Sequence, residues 1–365
     1  MNGSIGTVGV SNYGMMDSLV GYAANVREKL NILTTQVSTG LTSNTYAGLA
    51  AGAQVSLDLG PQIAHAKAWQ ANISAATGSI DLTQTVMSQI QQIANQFYGQ
   101  LPNLNNSASS EIDSVAAQAR SALQRVANLL DTKNGDQYVF AGQDSGNPPV
   151  PNPDNILTSG FYTQINTAVS GLAVSGAAAT VAATLAIATS NASGTSPFSI
   201  SQSQPAITLQ SQIPKVQVSE TQRIPIGLLA SANASAVSSG ASTTGSYMRD
   251  LLRNLATISS LSGSQSNAGG FTGLITDINT SLGGAITAMA TDAGNLGNLQ
   301  TSLTTTQTSL ADTVTALSSQ VSSVQDVDMA ETLSRLQLVQ TQMQSSYQMI
   351  ASYSSLSLVK FLPSG

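Results

Sequence analysis

Residues 296–324, LGNLQTSLTTTQTSLADTVTALSSQVSSV, decide how the rest of the chain is read. Leu296, Leu303, Leu310, Leu317 and Val324 stand seven apart, and small polar residues fill most of the space between them. A sustained seven-residue apolar repeat predicts a long helix with a narrow seam, of the kind that packs against another helix. The next residues, QDVDMAETLSRLQLVQTQMQSSYQMI (325–350), break the phase at Asp326-Val-Asp328. A new series then starts: Met329, Leu336, Met343 and Ile350, with Leu333 and Tyr347 beside it. The shift predicts a joint between two helices at 326–328 and a change of partner there.

Working back to the other end, a matching stripe appears. Leu19, Tyr22, Val26, Leu30, Leu33 and Val37 recur every three or four residues, and Gly40 stands where a helix C-cap is expected. Neither stripe has an obvious partner nearby in sequence, so the first and last helices are expected to pair with each other. Between them, a helical region runs from about 54 to 101 with an expected break at Gly60-Pro61. A further helix is expected from Ser109 to Leu130, with Val115, Ala119, Leu123, Val126 and Leu130 on one face. Asn134-Gly135 signals a hairpin turn before the run Gln137–Ala141. Past the Pro-rich linker 146–153 there is no charged residue from 155 to 214, and β-branched residues alternate with small polar ones. This stretch is read as β-rich, with a strand–turn–strand at Val216–Ile226. Helix resumes near Ser246, pauses at 262–270, returns over Leu274–Met289, and restarts near Leu296. The expected fold is therefore mainly α. It is an elongated rod of long antiparallel coiled-coil-like helices from both termini, with a β-rich inserted middle domain. The expected divisions are 1–41 with 325–365 as a terminal assembly domain, 42–136 with 246–324 as a helical domain, and 137–245 as the insert.

Composition narrows the function. Charged residues make up 8% of the 365 positions, against about 25% in an average globular chain. Small neutral polar side chains take their place, which suits a surface that copies of the same chain must cover. A net charge of −6 and the lack of any basic cluster argue against a nucleic-acid partner. There is no cysteine, so neither a disulfide nor a thiolate metal site is possible. Residues 168–189 carry no charge, but Ala, Gly, Ser and Thr dominate them and no membrane insertion is expected. The start, Met1–Val8, lacks the basic head and apolar run of a secretory signal, so export is expected by another route. His65, the single histidine, lies in a helical stretch with no nucleophile elbow. Gly269-Gly270 and Gly283-Gly284 lack the Lys-Ser/Thr of a phosphate loop. Asp326 and Asp328 are read as a solvated joint in preference to a cation site, which wants six or more oxygens. No catalytic, cofactor or metal site is expected, and the chain is read as a non-enzyme.

Several segments resemble the flagellin superfamily. Gln36-Val-Ser-Thr-Gly-Leu41 is similar to its signature at the end of the first helix. Val324-Gln-Asp-Val-Asp-Met-Ala330 is similar to the acidic joint in its last long helix, and Ser355-Leu-Ser-Leu-Val359 to its closing segment. Within the superfamily, three segments resemble the members that sit between flagellar hook and filament: Tyr138-Val-Phe-Ala-Gly142, Gln217-Val-Ser-Glu-Thr-Gln-Arg-Ile-Pro225 and Thr341-Gln-Met-Gln-Ser-Ser-Tyr347. Ser43–Leu49 and Asn295–Asn298 depart from the family by lacking its usual basic residues. The resemblance implies an extracellular flagellar subunit exported unfolded, whose ends fold on assembly. It also implies partners: copies of itself, the hook-side junction protein, flagellin and a flagellar export chaperone. Flagellin itself is the alternative. A secreted adhesin with a β-rich middle and a chemoreceptor fragment are rivals from other classes.

Overall fold

The computed structural model describes residues 8–232 and 236–355; Leu356–Val359 of the closing motif lie outside the described residues. The chain is mainly helical and forms two compact units, Met1–Ala66 with Asp312–Gly365, and Lys67–Ala311. The boundary falls within two long helices.

In the first unit, α1 (Val8–Thr39) leads through a 3-10 turn at Tyr46–Leu49 into the start of α2 (Gly52–Leu104). α2 does not break at Gly60-Pro61 as expected. A proline in mid-helix removes one N–H, and here the freed carbonyl belongs to Leu57, on a solvent-exposed stretch where water can satisfy it.

The second unit contains the rest of α2 and α3 (Ser109–Leu130), whose five expected face residues are all buried. The Asn134-Gly135 turn joins β1 (Lys133–Asn134) to β2 (Gln137–Tyr138), with Gly135 at φ +61°. The insert then departs from the expected β-rich domain. A 3-10 turn at Pro153–Thr158 leads into α4 (Gly160–Ser170), α5 (Leu172–Thr189) and α6 (Ala206–Ser211). Its strands, among the described residues, are the end of the first hairpin and the pair β3 (Lys215–Gln217) and β4 (Arg223–Pro225). β3 and β4 pair antiparallel with Val216 opposite Ile224, where the strand–turn–strand was expected. The misreading has a physical cause. α5 buries Thr180 and Thr184 and turns alanines outward, so it shows no apolar stripe. Thr180 and Thr184 satisfy their hydroxyls on the carbonyls of Gly176 and Val181. Of the described helices, α5 alone has the length and apolar composition for a membrane span, with mean hydropathy 1.8 over Leu172–Thr189. It is interrupted at Gly176, however, where the backbone leaves helical geometry.

α7 (Tyr247–Ser259) is buried along its whole length. α8 (Phe271–Gln325) is one continuous helix, so the expected pieces Leu274–Met289 and 296 onward are joined. α9 (Met329–Ser355) follows the joint predicted at 326–328. The core of the second unit gathers Phe97 and Leu101 of α2, Leu123 of α3, Leu252 and Leu255 of α7, and Phe271 and Leu282 of α8.

Candidate assembly site: the paired terminal helices

α1 packs along α9. The end of α1 is tied to the start of α9, so the two run antiparallel. Gly40 closes α1 in the left-handed region, φ +73°, which a side chain would strain, and its N–H returns to the Gln36 carbonyl at 2.8 Å. From this turn a single antiparallel bridge joins Leu41 to Asp326. Thr42 N–H donates to the Gln325 carbonyl at 2.6 Å, and Val327 N–H donates to the Gly40 carbonyl at 3.0 Å. The Gln36 amide donates to the Thr42 carbonyl at 2.9 Å. The segment 36–41 and the acidic joint, 284 residues apart at Thr42 and Asp326, thus form one knot.

Asp328 caps α9. Its Oδ1 accepts from the N–H groups of Ala330 and Glu331 at 2.9 and 3.1 Å, satisfying two donors that a helix start leaves open. Its carboxylate is therefore committed to the backbone. Among the described residues, no group of three His, Cys, Asp or Glu side chains is placed to hold a metal.

The seam between the helices follows a four-three alternation. On α1, Leu19, Ala23, Val26, Leu30, Leu33 and Val37 are buried or half-buried. Five of the six expected residues are among them. The sixth, Tyr22, is 49% exposed, and Ala23 holds the inner position instead. A small residue there lets the helices approach closely, which the search for large apolar side chains missed. On α9 the inner positions are Thr332, Leu336, Val339, Met343, Ser346 and Ile350. Leu336, Met343 and Ile350 were expected; Met329, Leu333 and Tyr347 point outward. Thr332 and Ser346 stand in for apolar residues because each donates its hydroxyl to the carbonyl four residues earlier, Asp328 at 2.7 Å and Gln342 at 2.8 Å. Along α8, Leu296 and Leu303 are buried, while Leu310, Leu317 and Val324 are half-buried.

The outer surfaces of the pair are unusual. Val20, Tyr22 and Ile32 of α1 and Leu338, Tyr347 and Met349 of α9 are each about half exposed. Covering such side chains contributes about 1–2 kcal/mol each. The one ion pair on α9, Arg335 with Glu331, lies in solvent, where it adds little. The arrangement can bind another apolar helical surface by burial.

Residues 10–145 match the family model of the bacterial flagellin N-terminal helical region. Residues 280–362 match that of the bacterial flagellin C-terminal helical region. A comparison with curated proteins finds no match. The two matches cover more than half of the chain, in N-to-C order, and include both helices of the knot. The chain belongs to the flagellin superfamily, as an extracellular structural subunit of the self-assembling bacterial flagellar filament.

Proposed function

We propose that this subunit joins the flagellar hook to the filament, polymerising through α1 and α9. The observation that carries the assembly reading is the apolar outer surface of the terminal pair, which a free monomer leaves in water. A neighbour that covers Tyr22, Ile32, Leu338 and Tyr347 removes that exposure, and head-to-tail contacts that do not close produce a helical array. The inner seam at Leu19, Val26, Leu30, Leu33, Val37, Leu336, Met343 and Ile350 holds the two helices in one geometry. Leu296 and Leu303 anchor α8 in the second unit's core.

The junction role rests on segments whose local structure is now described. Tyr138–Gly142 leaves the first hairpin with Phe140 buried and ends on Gly142, φ +69°, where a Cβ would stand 2.8 Å from the Gln212 carbonyl. Gln217–Pro225 is the β3–β4 hairpin, closed by Val218 N–H on the Gln222 carbonyl at 3.1 Å. These segments support a place between hook and filament, with the hook-side junction protein on one face and flagellin on the other. Export in an unfolded state, with an export chaperone shielding the terminal segments, prevents premature polymerisation.

Immunogold labelling of intact flagella tests the reading. The expected result is a narrow band at the filament base, and cells lacking the protein are expected to shed flagellin into the medium. Label along the whole filament would replace the junction role with that of flagellin.

A further inference from the structure

β3 and β4 form a sheet of two strands, and the parity of their ladder decides which backbone groups are left over. The Ile226 N–H donates to the Pro214 carbonyl at 2.7 Å, and the Val218 N–H donates to the Gln222 carbonyl at 3.1 Å. In an antiparallel ladder every second pair exchanges bonds, so Val216 with Ile224 is the bonded pair between these two. The N–H and C=O groups of Lys215 and Gln217 therefore point away from β4. Among the described residues nothing bonds them. The β4 edge is a poorer template, because Pro225 has no N–H to offer.

The β3 edge lies in a groove of about 870 Å³. α2 lines the groove with Asn72, Ala75, Ala76 and Ser79, which share one helix face at spacings of three and four. None of them carries a long side chain, and this keeps the groove open. β2 also lines it, but its edge is already taken: the Tyr138 N–H donates to the Ser145 carbonyl at 2.8 Å.

Charge selects the occupant. Lys215 and Arg223 line the groove, both exposed, and no Asp or Glu does. The ion pairs among the described residues are Arg253 with Asp277 and Arg335 with Glu331, so neither groove cation has a carboxylate partner. Asp136, Asp144 and Glu220 stand on adjacent turns outside the lining, and Asp144 is engaged by the Asn147 side chain at 2.7 Å. Lys215 and Gln217 share one face of β3, with Arg223 opposite Gln217, while Val216 is buried on the other face. Lysine on an open edge is a common guard against pairing with a copy of itself. A strand bearing carboxylates meets no such barrier. A Glu opposite Lys215 can exchange both backbone bonds with it and answer its charge.

We propose that the β3 edge docks an extended acidic segment of another protein as a third strand, with its carboxylates on the face of Lys215 and Arg223. This rests on the open edge and the two cations, and is independent of the junction role.

Titration of the intact monomeric chain, at low salt, with the end-blocked peptide Glu-Val-Glu-Val-Glu tests it. Saturable binding is expected, with amide exchange at Lys215 and Gln217 slowed roughly tenfold at saturation. Lys-Val-Lys-Val-Lys should bind at least about tenfold more weakly. The acidic peptide N-methylated at its glutamates keeps its charge but loses the donors that face β3, and should weaken by a similar factor. Lys215→Glu combined with Arg223→Glu changes two exposed side chains; it should leave Tm unchanged and reverse the preference between the acidic and basic peptides. Unaltered exchange at Lys215 and Gln217, equal affinity for the basic or the methylated peptide, or association of the chain with itself through these amides would each overturn the proposal.

Discussion

α7 and the α1–α9 pair reverse the usual placement of side chains in opposite ways. α7 carries Arg249, Asp250, Arg253 and Asn254, and all of them are buried. Asp250 collects two hydroxyls and a backbone N–H, Arg253 pairs with Asp277 at 3.4 Å, and Asn254 donates to Ser281 at 3.1 Å. The terminal pair carries Ile32, Leu338 and Tyr347 and leaves them in water. The difference lies in what the chain itself can cover. The second unit surrounds α7 closely enough to give Arg249, Asp250 and Asn254 hydrogen-bond partners and Arg253 a carboxylate, so polar residues there specify one packing. The first unit pairs α1 with α9 beside the ends of α2 and α8, and among its described residues nothing covers Ile32, Leu338 or Tyr347.

The comparison breaks if the terminal pair is already complete. Truncation after Asp328 removes α9 and should abolish incorporation into filaments, while the second unit stays folded. Electron microscopy of assembly mixtures and circular dichroism of the fragment check the two halves. Next in size, Asp250→Ala leaves Ser238, Thr243 and the Thr244 N–H without their acceptor. It should destabilise the second unit by about 3 kcal/mol, lowering Tm by roughly 10 °C, and Leu303→Ala should cost a similar amount through a cavity. By contrast, Ile32→Ser and Leu338→Ser should each leave the monomer's melting within about 0.5 kcal/mol yet raise the critical concentration for assembly roughly tenfold. If those two melt like Leu303→Ala, the outer faces are covered within the monomer and the contrast fails.

The smallest effect concerns pH. Burial raises the Asp131 carboxyl to about pH 6, partly offset by the Val150 N–H it accepts at 2.9 Å. The unfolded chain gives up this proton near pH 4, and the folded one only near 6. Asp131 therefore makes the fold less stable as pH rises through that window. Solvent reaches the group, so the effect should stay below about 1 kcal/mol. Asp131→Asn keeps the acceptor and should flatten the change in Tm between pH 4 and 7.

The terminal helices were legible because their seams follow the seven-residue rhythm of large side chains and because Gly40 and Asp326–Asp328 mark their ends. Tyr22 and Ala23 show the limit of that rhythm. Periodicity finds the stripe, but where two backbones come close the small residue takes the inside and the large one moves out. Met329, Leu333 and Tyr347 were misplaced for a related reason, since Thr332 and Ser346 hide their polarity against their own helix. The insert was misread where α5 reverses the pattern. α4 could have been found: Ser159 precedes Phe161, Ile165 and Val169, and its hydroxyl does cap the helix by accepting from the Tyr162 N–H at 3.3 Å. The buried charges of α7 left no trace in sequence, because a single Arg or Asp reads as solvated until its surroundings are known.

The bridge from Leu41 to Asp326 also imposes an order in time. A ribosome makes Leu41 long before Asp326, its partner in the bridge. Until then the early helix has no mate and the clasp cannot shut. A chain interrupted before Asp326 therefore presents half a fastening, and the whole one exists only once Val327 has been added.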